Sequence, residues 1–187
     1  MTKEKGTILI VPGYGDSSPN HWQGVWFKHS PNAVKVIQKD WIRVDRVEWV
    51  RTLDSAIQLA DAPIILVGHS LGCSTILYWI NSKESKKSIH KIKGALLVAP
   101  PDAHSAAYRA LSIKGFDPLP LDHLPFPSIL VSSENDPFLT VEQGRYFADR
   151  LGSEFINIGK RGHIGEDSGL GEWKEGKALL QKLMIAK

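Results

Sequence analysis

The sequence predicts an α/β fold in which a mostly parallel central sheet of about six strands carries helices on both faces. Two patterns predict this fold. Short runs rich in β-branched residues alternate with longer amphipathic stretches, as in chains built from strand–helix–strand units. Each short run is apolar almost throughout, which is typical of parallel strands covered on both faces. The 187 residues contain no repeat, low-complexity tract or linker, so we expect a single domain spanning residues 1–187.

Six segments have the length and composition of buried strands. They occupy residues 7–11, 33–37, 64–67, 95–99, 128–132 and 154–158.

Five longer segments fit helices. The first, residues 17–30, has a serine before a proline near its start and places Trp22 and Trp26 on one face. The second, residues 46–60, repeats apolar residues at helical spacing. The remaining three follow predicted strands and span residues 70–81, 140–151 (with a threonine as N-cap) and 171–187.

One segment does not fit the alternation of strands and helices. Residues 101–127 are rich in proline, and only residues 103–111 have the composition of a helix. The segment is too short for a second domain. We therefore expect it to form a minimal cap over a site.

The segment "ILVGHSLGCS" places a serine between two glycines directly after an apolar run. Gly68-His69-Ser70-Leu71-Gly72 matches the G-x-S-x-G nucleophile elbow, and its context of a buried strand and a following helix is the one that the motif requires. A serine on such a sharp turn needs small neighbours. The helix N-terminus beneath it favours developing negative charge. The pattern predicts that Ser70 is a catalytic nucleophile, although a plain strand-to-helix turn would also use glycines.

A serine hydroxyl becomes a good nucleophile only when a base removes its proton. His163 lies in the glycine-rich "GKRGHIG", after the last predicted strand and before the last helix. Loops at the carboxyl ends of parallel strands converge at one edge of the sheet, where Ser70 also lies. We therefore predict His163 as the base.

The other six histidines are weaker candidates. His69 adjoins the serine, but on so sharp a turn we expect its side chain to point elsewhere. Three more lie on or beside predicted surface helices and are expected to be solvated: His21, His29 and His90. The last two lie in the cap and could line a pocket: His104 and His123.

The base needs a carboxylate to orient it. Asp136 follows the predicted strand 128–132 in "SSENDPF". Glu134 and Asp102 are competitors, and acidic residues in such turns often serve only as caps. The order Ser70, Asp136, His163 is the one expected of an α/β-hydrolase, and it favours Asp136.

Two backbone N–H groups are predicted to form an oxyanion hole. One belongs to Leu71, the residue after the nucleophile, and the other should come from the loop after the first strand. In that loop, "VPGYGD", Gly13 allows the chain to bend and the N–H of Tyr14 is the candidate.

The segment "GYGDSS" also resembles the start of a dinucleotide-binding fingerprint. It lacks the third glycine, and Asp40 only loosely fits the acidic residue expected about twenty positions later. The sequence has no Walker motif and no paired-cysteine spacing. We therefore expect no cofactor and no metal, and we interpret Cys73 as a small packing residue.

Composition argues against several other classes of protein. The net charge of +3 is mild, and the basic segment 82–93 has no interleaved aromatic residues, so we expect no nucleic-acid partner. No apolar run is long enough to span a bilayer, so no membrane association is expected. The first residues lack the hydrophobic region of a signal peptide, and a single cysteine fits a reducing compartment. These features predict a cytoplasmic protein.

Four segments spread over nearly the whole chain carry a family resemblance: "VPGYGDSSPNHWQ", "GHSLGC", "SENDPF" and "GHIGEDSGLGEW". Together they resemble the small serine hydrolases related to retinoblastoma-binding protein nine and to bacterial YdeN-type proteins. The resemblance implies a compact α/β-hydrolase fold and a triad of Ser70, Asp136 and His163.

The resemblance also implies a place near the site for Tyr14, His21, Trp22 and Trp173. The two tryptophans could equally be core aromatics. Binding to the retinoblastoma pocket generally uses L-x-C-x-E. The nearest segment here, "LGCST", ends in Thr75 and lies on the helix behind the nucleophile, so that partner is not expected.

These observations predict a cofactor-independent serine hydrolase that cleaves a small ester, thioester or amide through an acyl-enzyme, with a small-molecule acyl substrate as its partner. The alternative is a protein-interaction module that keeps the fold but turns over little or no substrate. An intact triad in the expected order disfavours that alternative, because binding alone does not require all three residues.

Overall fold

The structure, a computed structural model, describes residues 6–186 and contains one six-stranded sheet. The strand order is β2-β1-β3-β4-β5-β6, and every neighbouring pair is parallel. The strands are β1 (Thr7–Val11), β2 (Ala33–Lys35), β3 (Ile64–His69), β4 (Ile92–Val98), β5 (Ser128–Ser132) and β6 (Glu154–Asn157). The predicted fold class is confirmed.

Helices cover both faces of this sheet. They are α1 (Trp22–His29), α2 (Arg46–Leu59), α3 (Leu71–Ile80), α4 (Ala106–Ala110), α5 (Val141–Leu151) and α6 (Lys174–Ile185). Short 3₁₀ turns occupy Glu84–Lys87, Ile89–Lys91 and Glu166–Ser168.

Alternate residues of each central strand point to opposite faces, which divides the core into two layers. In β1, Leu9 belongs to the buried cluster that includes side chains of α2, α3 and α5, whereas Ile8 and Ile10 belong to the one that includes side chains of α1 and α6. All five residues of β1 and all five of β5 are buried. The edge strands β2 and β6 are only partly buried, so the apolar pattern is strongest at the centre.

Several predicted boundaries differ from the observed ones. Strand β4 begins at Ile92 rather than at residue 95, because Ile92 and Gly94 already pair with the start of β3. Helix α1 begins at Trp22 rather than at residue 17, since the His21 ring caps it by accepting a 3.0 Å hydrogen bond from the N–H of Gln23. Helix α6 begins at Lys174, after Trp173 in a left-handed conformation.

The sheet positions the site through a reversal of strand order. From β1 the chain first adds β2 on one side and then places β3 on the other. In open parallel sheets, a crevice forms outside the carboxyl ends of the strands at such a reversal. The loop after β1, which contains Tyr14, and the turn after β3, which contains Ser70, therefore meet at this point.

The segment predicted as a cap contains α4 and covers part of this edge. Tyr108 of α4 and Phe116 are buried, and they pack with Trp49 and Leu71. Among residues 6–186, no helix combines the length and the apolarity that a membrane crossing requires.

Candidate active site

Ser70 occupies a strained turn between a strand and a helix. Strand β3 ends at His69 and helix α3 begins at Leu71, so a single residue makes the turn. Its backbone angles are φ 52° and ψ −126°, a conformation that costs an ordinary residue of the order of 1–3 kcal/mol. Such a cost persists only where the surrounding structure enforces it. The turn holds the serine at the carboxyl edge of the sheet.

The two glycines that flank the serine are there because the backbone packs too tightly for a side chain. A Cβ on Gly72 would lie 2.0 Å from the carbonyl oxygen of Val11 in strand β1. A Cβ on Gly68 would lie 2.8 Å from the Cδ1 of Ile76 and 3.0 Å from the backbone nitrogen of Cys73. The helix can therefore approach the sheet closely enough to form the turn only with glycine at both positions.

Three side chains at this edge form a continuous hydrogen-bonded chain. The hydroxyl of Ser70 lies 2.7 Å from Nε2 of His163, and Nδ1 of His163 lies 2.9 Å from both carboxylate oxygens of Asp136. The carboxylate accepts a hydrogen bond from the N–H at Nδ1, so Nε2 carries no proton and can accept a hydrogen bond from the serine hydroxyl. The structure thus brings the three predicted residues together in the geometry of nucleophile, base and orienting acid.

Burial differs along this chain of groups. The Asp136 side chain is 0% exposed and that of His163 is 21% exposed. One Asp136 oxygen also accepts a 2.8 Å hydrogen bond from the N–H of Phe138. The carboxylate is therefore fixed in orientation, while one edge of the imidazole remains accessible.

The two competing carboxylates lie elsewhere. Glu134 is exposed and contacts Asn157, and Asp102 accepts from the N–H of His104 in its own turn. Neither carboxylate is hydrogen-bonded to His163, and Asp102 acts as a local turn group, the alternative considered for acidic residues in such positions.

The other histidines divide between surface and interior. His29 and His90 are exposed as predicted, and the cap residues His104 and His123 are also exposed and do not line the cavity around Ser70. The prediction of a solvated His21 is wrong: its side chain is buried, because it caps α1 beneath the site.

The loop that carries His163 is tied to the turn that carries Asp136. The side-chain oxygen of Asn135 accepts a 2.7 Å hydrogen bond from the N–H of Gly162, and the hydroxyl of Ser133 accepts a 2.8 Å bond from the N–H of Arg161. These two hydrogen bonds tie the loops after β5 and β6 together and help to fix the distance between the acid and the base.

Two ring N–H groups hold the same loop from the other side. His69 Nε2 donates to the carbonyl of His163 at 2.9 Å, and Trp22 Nε1 donates to the carbonyl of Ile164 at 2.8 Å. The backbone is left-handed at Gly162 (φ 55°) and Ile164 (φ 51°). The side chains of His69 and Trp22 stabilise this conformation from outside the loop.

Trp22 and Trp173, which the resemblance placed near the site, are core aromatics in the structure. Both are almost completely buried, their ring centroids lie 4.9 Å apart, and neither lines the cavity that contains Ser70. Their part in the site is indirect, through the loop that follows His163.

Two buried imidazoles, those of His21 and His69, lie below the loop that carries His163. The ring of His69 lies 4.7 Å from that of His21 and 5.1 Å from that of His163, measured between centroids. Burial lowers the pKa of His21 to about 4 and, together with the neighbouring imidazoles, holds the pKa of His69 well below its usual value. Both rings are therefore neutral near pH 7.

A cavity of about 150 Å³ opens at the nucleophile. Its walls comprise Ser70, His163 and seven other residues: Tyr14, Leu71, Pro101, Tyr108, Leu111, Ile113 and Phe138. A larger cleft of about 740 Å³ lies at the amino ends of β1 and β3, beside Gly6, Pro63 and helix α6, and includes neither Ser70 nor His163. The smaller cavity is the one that reaches the reactive groups.

Two backbone N–H groups beside the serine are free to bind an anion. Leu71 is the first residue of helix α3, where no intrahelical acceptor exists for its N–H. Among the described residues, the N–H of Tyr14 has no hydrogen-bond acceptor. Both residues line the Ser70 cavity. The predicted pair of oxyanion donors is therefore available at the expected edge.

The remaining reactive groups have structural surroundings. Cys73 is buried, its thiol contacts the carbonyl of Val98 at 3.4 Å, and burial raises the pKa of that thiol. Within residues 6–186, no set of three or more His, Cys, Asp or Glu side chains is arranged to hold a metal ion.

Sequence reasoning did not identify the residues that support the base. His69 was expected to point away from the site, yet its ring binds the backbone of the base itself. Ser133 and Asn135 are not distinctive in the sequence, because serine and asparagine are common in turns. The one feature of the sequence that indicates a role in the site is their position beside Asp136, directly after a buried strand.

Comparison with solved structures supports the assignment of the fold. A YdeN-like hydrolase from Pectobacterium atrosepticum is 29% identical, and the match covers 96% of this chain and 91% of that chain with a TM-score of 0.81. The YdeN protein of Bacillus subtilis is 19% identical, with 97% and 100% covered and a TM-score of 0.78. The carboxylesterase CesB from the same organism is 14% identical, with 98% and 84% covered and a TM-score of 0.63.

No curated protein sequence matches the chain. A protein family described as serine hydrolase matches residues 8–182, nearly the whole chain. The expected resemblance to YdeN-type hydrolases is confirmed by this match together with the structures above. The chain therefore belongs to the serine hydrolase family and is a hydrolase with an α/β-hydrolase fold.

Proposed function

We propose that this hydrolase cleaves a small ester, thioester or amide without a cofactor, through an acyl-enzyme on Ser70. The observation that carries the proposal is the hydrogen-bonded chain from Ser70 through His163 to Asp136, at the wall of a cavity. A serine, a base and an orienting carboxylate in this arrangement are the elements of nucleophilic acyl transfer.

In the first half of the reaction, the Ser70 oxygen attacks the substrate carbonyl carbon while its proton passes to Nε2 of His163. The carbonyl π-bond electrons move to oxygen and give a tetrahedral oxyanion. The oxyanion then re-forms the carbonyl and expels the alcohol, thiol or amine, which takes the proton from His163. The acyl group remains bonded to Ser70.

In the second half, water replaces the departed group. His163 accepts a proton from the water as its oxygen attacks the acyl carbon, and a second tetrahedral oxyanion forms. Its collapse breaks the bond to Ser70, whose oxygen recovers the proton from His163, and the carboxylic acid leaves. The exposed edge of His163 gives water and leaving group a route to the base.

Two groups stabilise the charges that develop. The N–H groups of Leu71 and Tyr14 are the proposed donors to the oxyanion, and removing one such donor typically costs about 10²–10³ in turnover. The buried Asp136 carboxylate stabilises the imidazolium that His163 becomes during each step.

The proposed character of the acyl group rests on the lining of the cavity. CesB is described as a carboxylesterase, but at 14% identity its similarity concerns the fold alone. The cavity walls contain no charged side chain apart from the ionisable His163, which favours an uncharged acyl group.

The deciding experiment treats the folded protein with a fluorophosphonate probe and locates the adduct by peptide mass spectrometry. We expect one adduct, on Ser70, and no reaction in Ser70→Ala. Ser55→Ala is the matched control, because Ser55 is exposed on helix α2 away from the cavity. A panel of p-nitrophenyl esters, thioesters and anilides then reports turnover for the same proteins. An unmodified Ser70, or equal negligible turnover in wild type and Ser70→Ala, would favour an interaction module instead.

A further inference from the structure

Two neighbouring clefts share a wall at the cap. The first is the Ser70 cavity of about 150 Å³. The second, of about 290 Å³, is lined by Ile42, Arg43, Val44 and residues 111–114. Leu111 and Ile113 line both clefts, so their side chains stand between the nucleophile and the outer space.

We propose that Leu111 and Ile113 set the length of the acyl chain that Ser70 accepts, and that the acyl group of the substrate derives from a short, apolar carboxylic acid. This inference rests on the proposed function. The Ser70 cavity, at about 150 Å³, is smaller than the roughly 300–1,000 Å³ of typical ligand pockets, so it accommodates only a short acyl chain. The shared wall then stops longer chains.

The acyl side of the substrate, rather than the leaving group, is the part that fits this cavity. The leaving group must receive its proton from His163 and depart to solvent, and the His163 side chain is exposed at one edge. The acyl group stays bonded to Ser70 until water arrives, and therefore needs a site of its own. The cap side, formed by Tyr108, Leu111 and Ile113, provides it.

The chemistry of the walls selects an uncharged, apolar chain. Pro101, Leu111, Ile113 and Phe138 are apolar. Burial raises the pKa of Tyr108 to about 12, and the neighbouring Tyr78 and Asp117 act in the same direction, so its phenol carries no charge near pH 7. A charged acyl group would lose its hydration there without gaining an ionic partner.

The Leu111 side chain lies outside the buried core clusters, whereas Ile113 packs against the cluster of Trp49 and Phe116. Leu111 is 36% exposed and follows the end of helix α4, and Ser112 next to it makes a left-handed turn with φ 55°. Arg46 holds the far end of this turn by a 2.8 Å hydrogen bond to the carbonyl of Gly115. Truncating Leu111 therefore joins the two clefts while the turn stays anchored.

The test measures kcat/KM for p-nitrophenyl esters from acetate to dodecanoate in wild type, Leu111→Ala and the double variant Leu111→Ala with Ile113→Ala. Leu59→Ala is the matched control, since Leu59 is 87% exposed at the end of α2. It lies five residues before strand β3 begins, and therefore at the amino edge of the sheet, opposite the edge that carries Ser70. A second series varies the alcohol of butanoate esters. Thermal midpoints show that each variant is folded.

We expect wild type to prefer the shorter chains of this series. In Leu111→Ala the ratio of decanoate to butanoate kcat/KM should rise at least about tenfold, and further in the double variant, with Leu59→Ala and the alcohol series unchanged. If Ser70→Ala abolishes turnover but the chain-length profile is unchanged in both wall variants, this inference is wrong and the proposed function stands. A shift in the alcohol series instead overturns the acyl assignment. Absence of Ser70-dependent turnover overturns both proposals.

Discussion

The imidazole of His69 donates a 2.9 Å hydrogen bond from Nε2 to the backbone carbonyl of His163, although the two residues are 94 positions apart. The residue before the nucleophile therefore binds the backbone of the residue that activates the nucleophile. Because Ser70 follows His69 directly, one short stretch of chain contacts both the side chain and the backbone of His163. The distance between serine and base is fixed from two sides.

We predict that His69→Leu lowers kcat about 10- to 100-fold with little change in KM. The substitution removes the donor to the His163 carbonyl, and small displacements of a catalytic group cost about this much. His69→Gln keeps an N–H at a similar reach and should restore most of kcat. Steady-state kinetics on ester substrates check both values. If the Gln variant is as impaired as the Leu variant, the ring contributes packing rather than this hydrogen bond.

Asp136→Asn should lower kcat about 10³- to 10⁴-fold, since a neutral amide can neither stabilise the imidazolium nor hold the required tautomer of His163. The thermal midpoint should stay near that of wild type, because the Asn side-chain oxygen can still accept from the N–H of Phe138. Glu134→Gln and Asp102→Asn are the charge-matched controls and should keep turnover within about twofold of wild type. A larger loss in either control than in Asp136→Asn would move the role of acid to that residue.

The parts of the fold that could be predicted from sequence are those set by local pattern. The buried strands β1 and β5 match the predicted residues at both ends, because an unbroken apolar run forms the centre of each. Strand β4 was predicted three residues too late, since Lys93 interrupts its apolar run near the edge of the sheet. The nucleophile-elbow motif selected Ser70, the glycine-rich loop after the last strand indicated His163, and the chain order then favoured Asp136 as the third residue that meets them.

The parts that could not be predicted depend on contacts between distant segments. His21 looked like a solvated residue beside a surface helix, and no local pattern shows that its ring packs against His69. The support that Asn135 gives to Gly162 likewise depends on loops after two different strands. Such contacts arise from the topology of the sheet rather than from spacing within one segment.

We predict that His21 makes the fold sensitive to acid. Desolvation is the main cause that lowers the His21 pKa from 6.5 to about 4 in the folded protein, and nearby Lys35 and His163 add to it, while Glu166 and Asp16 oppose it. The unfolded chain binds the proton more readily, so stability is complete above about pH 6.5 and is lost as the pH falls toward 4. The difference corresponds to up to about 3 kcal/mol in the free energy of unfolding.

Urea denaturation from pH 8 to 4 on wild type and His21→Asn checks this effect. The Asn side chain can still cap helix α1 for the N–H of Gln23 but does not titrate. The variant should therefore lose less stability than wild type over this range, by up to about 3 kcal/mol. Parallel curves for the two proteins would show that His21 is not the titrating group.

The last prediction concerns the glycine after the nucleophile. Gly72→Ala should lower the free energy of unfolding by about 4 kcal/mol or more, because the new Cβ would lie 2.0 Å from the Val11 carbonyl and 2.7 Å from that of Pro12. Both are backbone atoms of strand β1 and the loop after it, so no side-chain rotation can relieve the overlap, and the helix must move away from the sheet.

Gly165→Ala is the matched control for this substitution. Gly165 has an ordinary φ of −94°, and a Cβ there would meet nothing within 4 Å. Its stability should stay within about 1 kcal/mol of wild type and could rise, because alanine has fewer unfolded conformations than glycine. Chemical denaturation of the two variants side by side measures the difference. Similar midpoints would mean that the helix can retreat from β1 at little cost, and that close packing is not the reason for glycine after Ser70.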